Sequence, residues 1–125
     1  MFNDSLTGRV CRDMDPDLLE FLNSYIDTFV KWDLLSFFYN NPHTIDTVDN
    51  IARYAGRDEE TVQQELTGLA AKGLLEETKM GELVVYALTP NLKIRDQLSR
   101  FVEASEDRQF RIRAIYHVIK NMREE

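Results

Sequence analysis

Thr47-Val48-Asp49-Asn50-Ile51-Ala52-Arg53-Tyr54-Ala55-Gly56 is followed, after Arg57-Asp58-Glu59-Glu60, by Thr61-Val62-Gln63-Gln64-Glu65-Leu66-Thr67-Gly68-Leu69, and then by Lys72-Gly73-Leu74-Leu75-Glu76. In the first segment Thr47 or Asp46 is placed to cap a two-turn helix carrying Val48, Ile51 and Ala52, and Gly56 supplies the positive φ that ends it. Asp58 opens a second helix, with Glu59 and Glu60 at the end where the helix dipole favours negative charge. The apolar stripe of this helix is Val62, Leu66, Leu69 and Ala70, and Lys72-Gly73 closes it. Two strand-like runs follow, residues 74–78 and 83–89, joined by Lys79-Met80-Gly81-Glu82; a short Gly-containing linker between such runs reads as a hairpin. Val84, Tyr86 and Leu88 alternate onto one of its faces. Upstream, Thr44-Ile45-Asp46 suits a short strand.

Two helices this short cannot bury both stripes against each other, so a third wall is required. It lies in residues 17–40, where Leu18, Leu22, Tyr25, Ile26, Phe29, Val30, Leu34, Phe37 and Phe38 recur at helical spacing. Phe29, Leu34, Leu35 and Phe38 are the part expected against the core. The phase drifts around residues 27–32, so this stretch is one helix or two. Asp15-Pro16-Asp17 starts it, with a capping carboxylate before a proline that needs no N–H partner, and Asn41-Pro42 ends it. Residues 1–16 read as a polar, loosely ordered arm. After Pro90 a further helix carries Ile94, Leu98, Phe101 and Val102, and a last one, residues 107–123, carries Ile112, Ile115, Ile119 and Met122 with Phe110, Ala114 and Val118 beside them. The fold expected is mainly α with a small β-hairpin, organised as a single domain over residues 1–125: the arm, an N-terminal helix or pair (17–40), the central unit (44–90) and C-terminal helices (91–125).

The quoted segments resemble the first helix and turn, the second helix and the passage into the wing of a winged helix-turn-helix. Val84-Val85-Tyr86-Ala87-Leu88-Thr89-Pro90 is similar to the return strand of such a wing. Over residues 28–90, about half the chain, the layout resembles small bacterial and archaeal transcriptional regulators of the ArsR and MarR type. That resemblance implies a homodimer that binds duplex DNA, with the second motif helix in the major groove. The outward face of that helix is then Glu59, Glu60, Gln63, Gln64, Thr67 and Ala71. Gln63 and Gln64 suit adenine, because a carboxamide donates and accepts at once. Thr67 suits a base or a phosphate; Arg53, Arg57 and Lys79, at the tip of the hairpin, suit phosphates. In similar regulators the helices flanking the wing form the dimer, which places Ile112, Ile115, Ile119 and Met122 at a seam between copies. The alternative is that this helix folds back on the N-terminal helix of its own chain, and both can hold together.

Composition bounds what else the chain does. With 125 residues, 43% hydrophobic, five Gly and three Pro, it is neither fibrous nor disordered. The formal charge is −7, from 15 Lys+Arg and 22 Asp+Glu. By segment it is −6 over residues 1–50 (three basic, nine acidic), −3 over 51–90 (four and seven) and +2 over 91–125 (eight and six). An acidic total opposes indiscriminate nucleic-acid binding. Glu59 and Glu60 on the reading face sharpen that conflict and support the rival reading, a winged-helix module that binds protein instead of DNA. Arg108, Arg111 and Arg113 add local positive charge that answers the acidic N-terminal helix or faces phosphate. A single cysteine, Cys11, and two distant histidines, His43 and His117, give no metal-ligand spacing. This lack of a cysteine pair argues against ArsR-type metal sensing. His43 reads as a turn residue and His117 as a helix-surface residue. No phosphate loop, nucleophile elbow or acid–base pair stands out, so neither an enzyme nor a cofactor is expected. Without a signal peptide or a long apolar run, the expected setting is the cytoplasm and not a membrane. Ligand sensing between the terminal helices and the core is compatible with either reading.

Overall fold

The computed structural model describes residues 14–123. The elements are α1 (Pro16–Tyr25), α2 (Phe29–Asn40), β1 (Ile45–Thr47), α3 (Val48–Ala55), α4 (Glu59–Ala71), β2 (Leu75–Met80), β3 (Leu83–Leu88), α5 (Leu92–Ala104) and α6 (Arg108–Arg123). The N-terminal stretch is therefore two helices. Asp15 caps α1 by accepting from the Asp17 N–H at 2.8 Å. The drift in phase marks a true break, where Thr28 restarts the chain by accepting from the Lys31 N–H at 3.1 Å. Cys11 and most of the expected polar arm lie outside the described residues. Its last part departs from expectation, because Met14 is buried and belongs to the hydrophobic core.

In the central unit Thr47 stands at the N-cap of α3 without the expected side-chain cap, because its hydroxyl donates to Asp49, while the other ends form as read. Gly56 ends α3 at φ +69° and Gly73 follows α4 at φ +84°, both in the left-handed region that glycine enters without penalty. Asp58 caps α4, accepting from the N–H and the hydroxyl of Thr61 at 2.9 and 2.8 Å. The hairpin is tighter than expected. Lys79 pairs with Val84 and Met80 with Leu83, which leaves Gly81-Glu82 as a two-residue turn and places Lys79 within the strand. β1 adds to the other side of β3 in antiparallel register, Ile45 to Ala87 and Thr47 to Val85, so the sheet order is β1-β3-β2. Tyr86 and Leu88 turn into the core as expected, Val84 is half-buried, and Val85 on the opposite face is buried as well, between Thr47 and Thr78. Capped helix, tight turn, second helix and three-stranded antiparallel sheet make a winged helix-turn-helix, extended by helices at both ends.

Leu34, Leu35 and Phe38 of α2 supply the third wall, and Val62, Leu66 and Leu69 of α4 meet it with no exposed surface. Around Phe101 of α5 the core becomes aromatic: Phe21, Trp32 and Phe110 lie 5.4, 5.3 and 5.8 Å from it between ring centroids. α6 presents Phe110, Ala114 and Val118 inward. His117 joins them, which corrects its expected surface position: it is buried against α1, in hydrogen-bond contact with Asn23. The acidic start of α1 is approached by Arg100 of α5, 3.9 Å from Asp15 and 3.7 Å from Asp17.

Candidate nucleic-acid interface

The sealing of Val62, Leu66 and Leu69 fixes the rotation of α4 about its axis. Glu59, Glu60, Gln63, Gln64, Thr67 and Ala71 consequently all stand exposed. On the adjoining hairpin Glu76, Glu77, Thr78, Lys79 and Met80 of β2 are exposed too. Of the basic candidates, Arg53 is exposed in the last turn of α3 and Lys79 on β2. Arg57 is committed within the chain: its guanidinium pairs with Asp33 of α2, with Nε–H donating at 2.9 Å.

Gln63 and Thr67 are brought into contact with each other and with the wing. Gln63 Nε2–H donates to the Tyr86 hydroxyl at 3.3 Å and to Thr67 Oγ1 at 3.4 Å. The Thr67 hydroxyl donates to the Gln63 backbone carbonyl at 2.9 Å, and the Tyr86 hydroxyl donates to Glu77 Oε2 at 2.6 Å. Burial first, and the Glu77 carboxylate second, hold the Tyr86 phenol above its usual titration range, so it keeps its proton. Sequence reasoning placed Tyr86 in the core and did not connect its hydroxyl to the reading face.

Behind α4 lies a second polar cluster that the sequence did not announce. Lys31 is buried, bonded to Asp27 at 2.7 Å and 3.6 Å from Glu65, while the Thr28 hydroxyl donates to the same Glu65 carboxylate. Lys31 reaches Glu65 by crossing Gly68, where an added Cβ would meet its Cε at 3.2 Å. A glycine in the interior of an expected helix was the available signal for this close approach. Lys72, at the far end of α4, donates to the Ser24 carbonyl at 2.7 Å. The α1–α2 junction thus holds α4 at its middle and at its C-terminal end, and sets the angle at which its outer face is presented.

Electrostatically that outer surface is mixed, with carboxylates in the majority. Glu59 and Glu60 occupy the N-terminal turn of α4, where free N–H groups would otherwise attract phosphate. An open cleft of about 360 Å³ lies elsewhere, between the end of α2, β1 and α3, lined by Phe37, Asn41, Thr44, Ile45, Asp46 and Tyr54. No residue of α5 or α6 lines it. Among the described residues no three His, Cys, Asp or Glu side chains are grouped to hold a metal ion, and no helix is long and apolar enough to cross a membrane.

No family model and no curated protein matches the chain. Among solved structures it is similar to a possible transcriptional regulator from Methanosarcina mazei Go1, at 17% identity over 86% of this chain and 82% of that one, with a TM-score of 0.42.

Proposed function

We propose that this chain is a cytoplasmic transcriptional regulator that acts as a homodimer and binds duplex DNA through α4 and the β2–β3 wing. The observation that carries the reading is the polar face of α4, wholly exposed beside an exposed hairpin while the opposite face is sealed in the core. A helix so presented fits the major groove. Gln63, Gln64 and Thr67 are the base-facing residues, and Arg53, Lys79 and, once released from Asp33, Arg57 contact phosphates. The exposed α6 residues Ile112, Ile119 and Met122, with half-buried Ile115, form the seam between copies. Two α4 helices then meet grooves one turn apart, roughly 34 Å between centres, on a pseudo-palindromic site.

Few cations near the reading face and two carboxylates on it, Glu59 and Glu60, set the energetics. Non-specific affinity is weak and the salt dependence shallow, because few counterions leave the duplex. Fluorescence anisotropy against mixed genomic duplexes at two salt concentrations tests this. Saturable binding with a shallow salt slope is expected, and no binding at low salt with high micromolar protein overturns it. Glu59→Lys with Glu60→Lys should strengthen binding to any duplex. A second reading, a module for a protein partner, is favoured by the exposed carboxylates Glu59, Glu60, Glu76, Glu77 and Glu82. It takes over if the duplex titration fails.

A further inference from the structure

Gln63 is chemically more restricted than a free glutamine. The Tyr86 hydroxyl has one hydrogen, and it goes to Glu77, whose carboxylate oxygen accepts it. Its oxygen can therefore only accept from Gln63. Thr67 repeats the logic: its hydroxyl hydrogen goes to the Gln63 carbonyl of the backbone, so its oxygen also only accepts. Both neighbours thus require the amide NH2 of Gln63, and its two hydrogens are accounted for by them. The NH2 end of the carboxamide thus faces inward. Only Oε1 remains to meet a ligand. The bidentate adenine contact expected of a free glutamine needs a donor toward N7 as well, and that donor is in use.

Resting on the DNA-binding reading above, we propose that Gln63 is an acceptor-only specificity residue. It selects, at the base it faces, the exocyclic amine of adenine or cytosine and rejects the carbonyl edge of guanine or thymine. Its orientation is set by the wing through Tyr86 and Glu77. These two residues act without touching the duplex base, so they are positioning residues.

Selection of duplexes from a randomised 20-base-pair pool tests this with three proteins. Gln63→Ala identifies the position that Gln63 reads, as the one whose preference disappears. At that position the wild type should favour A or C by about tenfold or more over G or T. In Glu77→Ala the Tyr86 hydroxyl loses its acceptor and is free to donate to Gln63, which lets the carboxamide turn, so the preference should fall to within about threefold. Glu77 is exposed, so the fold is not at risk. A wild type that prefers G or T there, or a Glu77→Ala profile identical to wild type, overturns the proposal alone. Enrichment of no duplex overturns the DNA-binding reading and the base selection with it. The clamp itself is read in the free protein from the side-chain amide resonances of Gln63. They should move in Tyr86→Phe, and unchanged resonances overturn the clamp whatever the DNA result.

Discussion

Two apolar stripes of nearly the same spacing have opposite fates in this chain. On α4, Val62, Leu66 and Leu69 have no exposed surface, whereas on α6, Ile112, Ile119 and Met122 keep 55%, 43% and 46% of theirs. Periodicity says that a helix has an apolar side but not what covers it. α4 is enclosed because α2 and α3 pack on one flank and β2 follows directly on the other. α6 has two apolar sides. The one formed by Phe110, Ala114 and Val118 closes the core, and the second stays outside. The polar groups follow the same division, since α4 is anchored from behind by Lys31 and Glu65 while its outer face carries unburied carboxylates.

The contrast makes predictions of graded size. Leu66→Ala removes the centre of the sealed stripe and should cost about 2–5 kcal/mol in denaturant melts; a loss below about half a kcal/mol would put the stripe on the wrong side. Lys31→Met leaves Glu65 covered without its cation and should cost about 1–3 kcal/mol, with Lys31→Arg unable to restore it because the wider head must also cross Gly68. Ile119→Glu on the open stripe should change protomer stability by no more than about 0.5 kcal/mol, yet yield monomers by light scattering. A wild type already monomeric in the micromolar range would remove α6 as a seam. The smallest effect concerns acid. Hydrogen bonds from the Thr61 N–H, and secondarily its hydroxyl, hold the Asp58 carboxyl below the ordinary 3.8. Its folded-state value is thus lower than its unfolded one, so its contribution is complete above the unfolded value and lost as pH falls through the folded one. Asp58→Asn keeps an acceptor that does not titrate, and its melting midpoint should vary less than wild type between about pH 5 and pH 3.

Much of the architecture was readable because it depends on local chemistry. Gly56, Gly73, the Asp58 cap and the spacing of Val62, Leu66 and Leu69 each specify conformation within a few residues. What was not readable depends on encounters between distant segments. Nothing near His117 in sequence reveals that Asn23 lies against it, 94 residues away. The commitment of Arg57 to Asp33 and of Gln63 to Tyr86, 24 and 23 residues apart, is equally silent until the helices are packed. The candidate face was therefore legible as a list of side chains, and its hydrogen-bonding sense was not. Met14 shows the same limit at the N-terminus, where polar neighbours hid a core residue.

Among the described residues the sheet order β1-β3-β2 leaves two open edges, and neither invites another strand. β1 is three residues long and runs straight into α3, so an added chain would find only one or two main-chain partners there. β2 is longer, but its exposed run contains Glu76, Glu77 and Lys79, charges that must stay hydrated. Edge-to-edge aggregation is opposed by this design, and so is capture of an extended peptide by strand addition. Whatever docks on the wing is recognised through side chains, which leaves the backbone of this protein silent in its choice of partner.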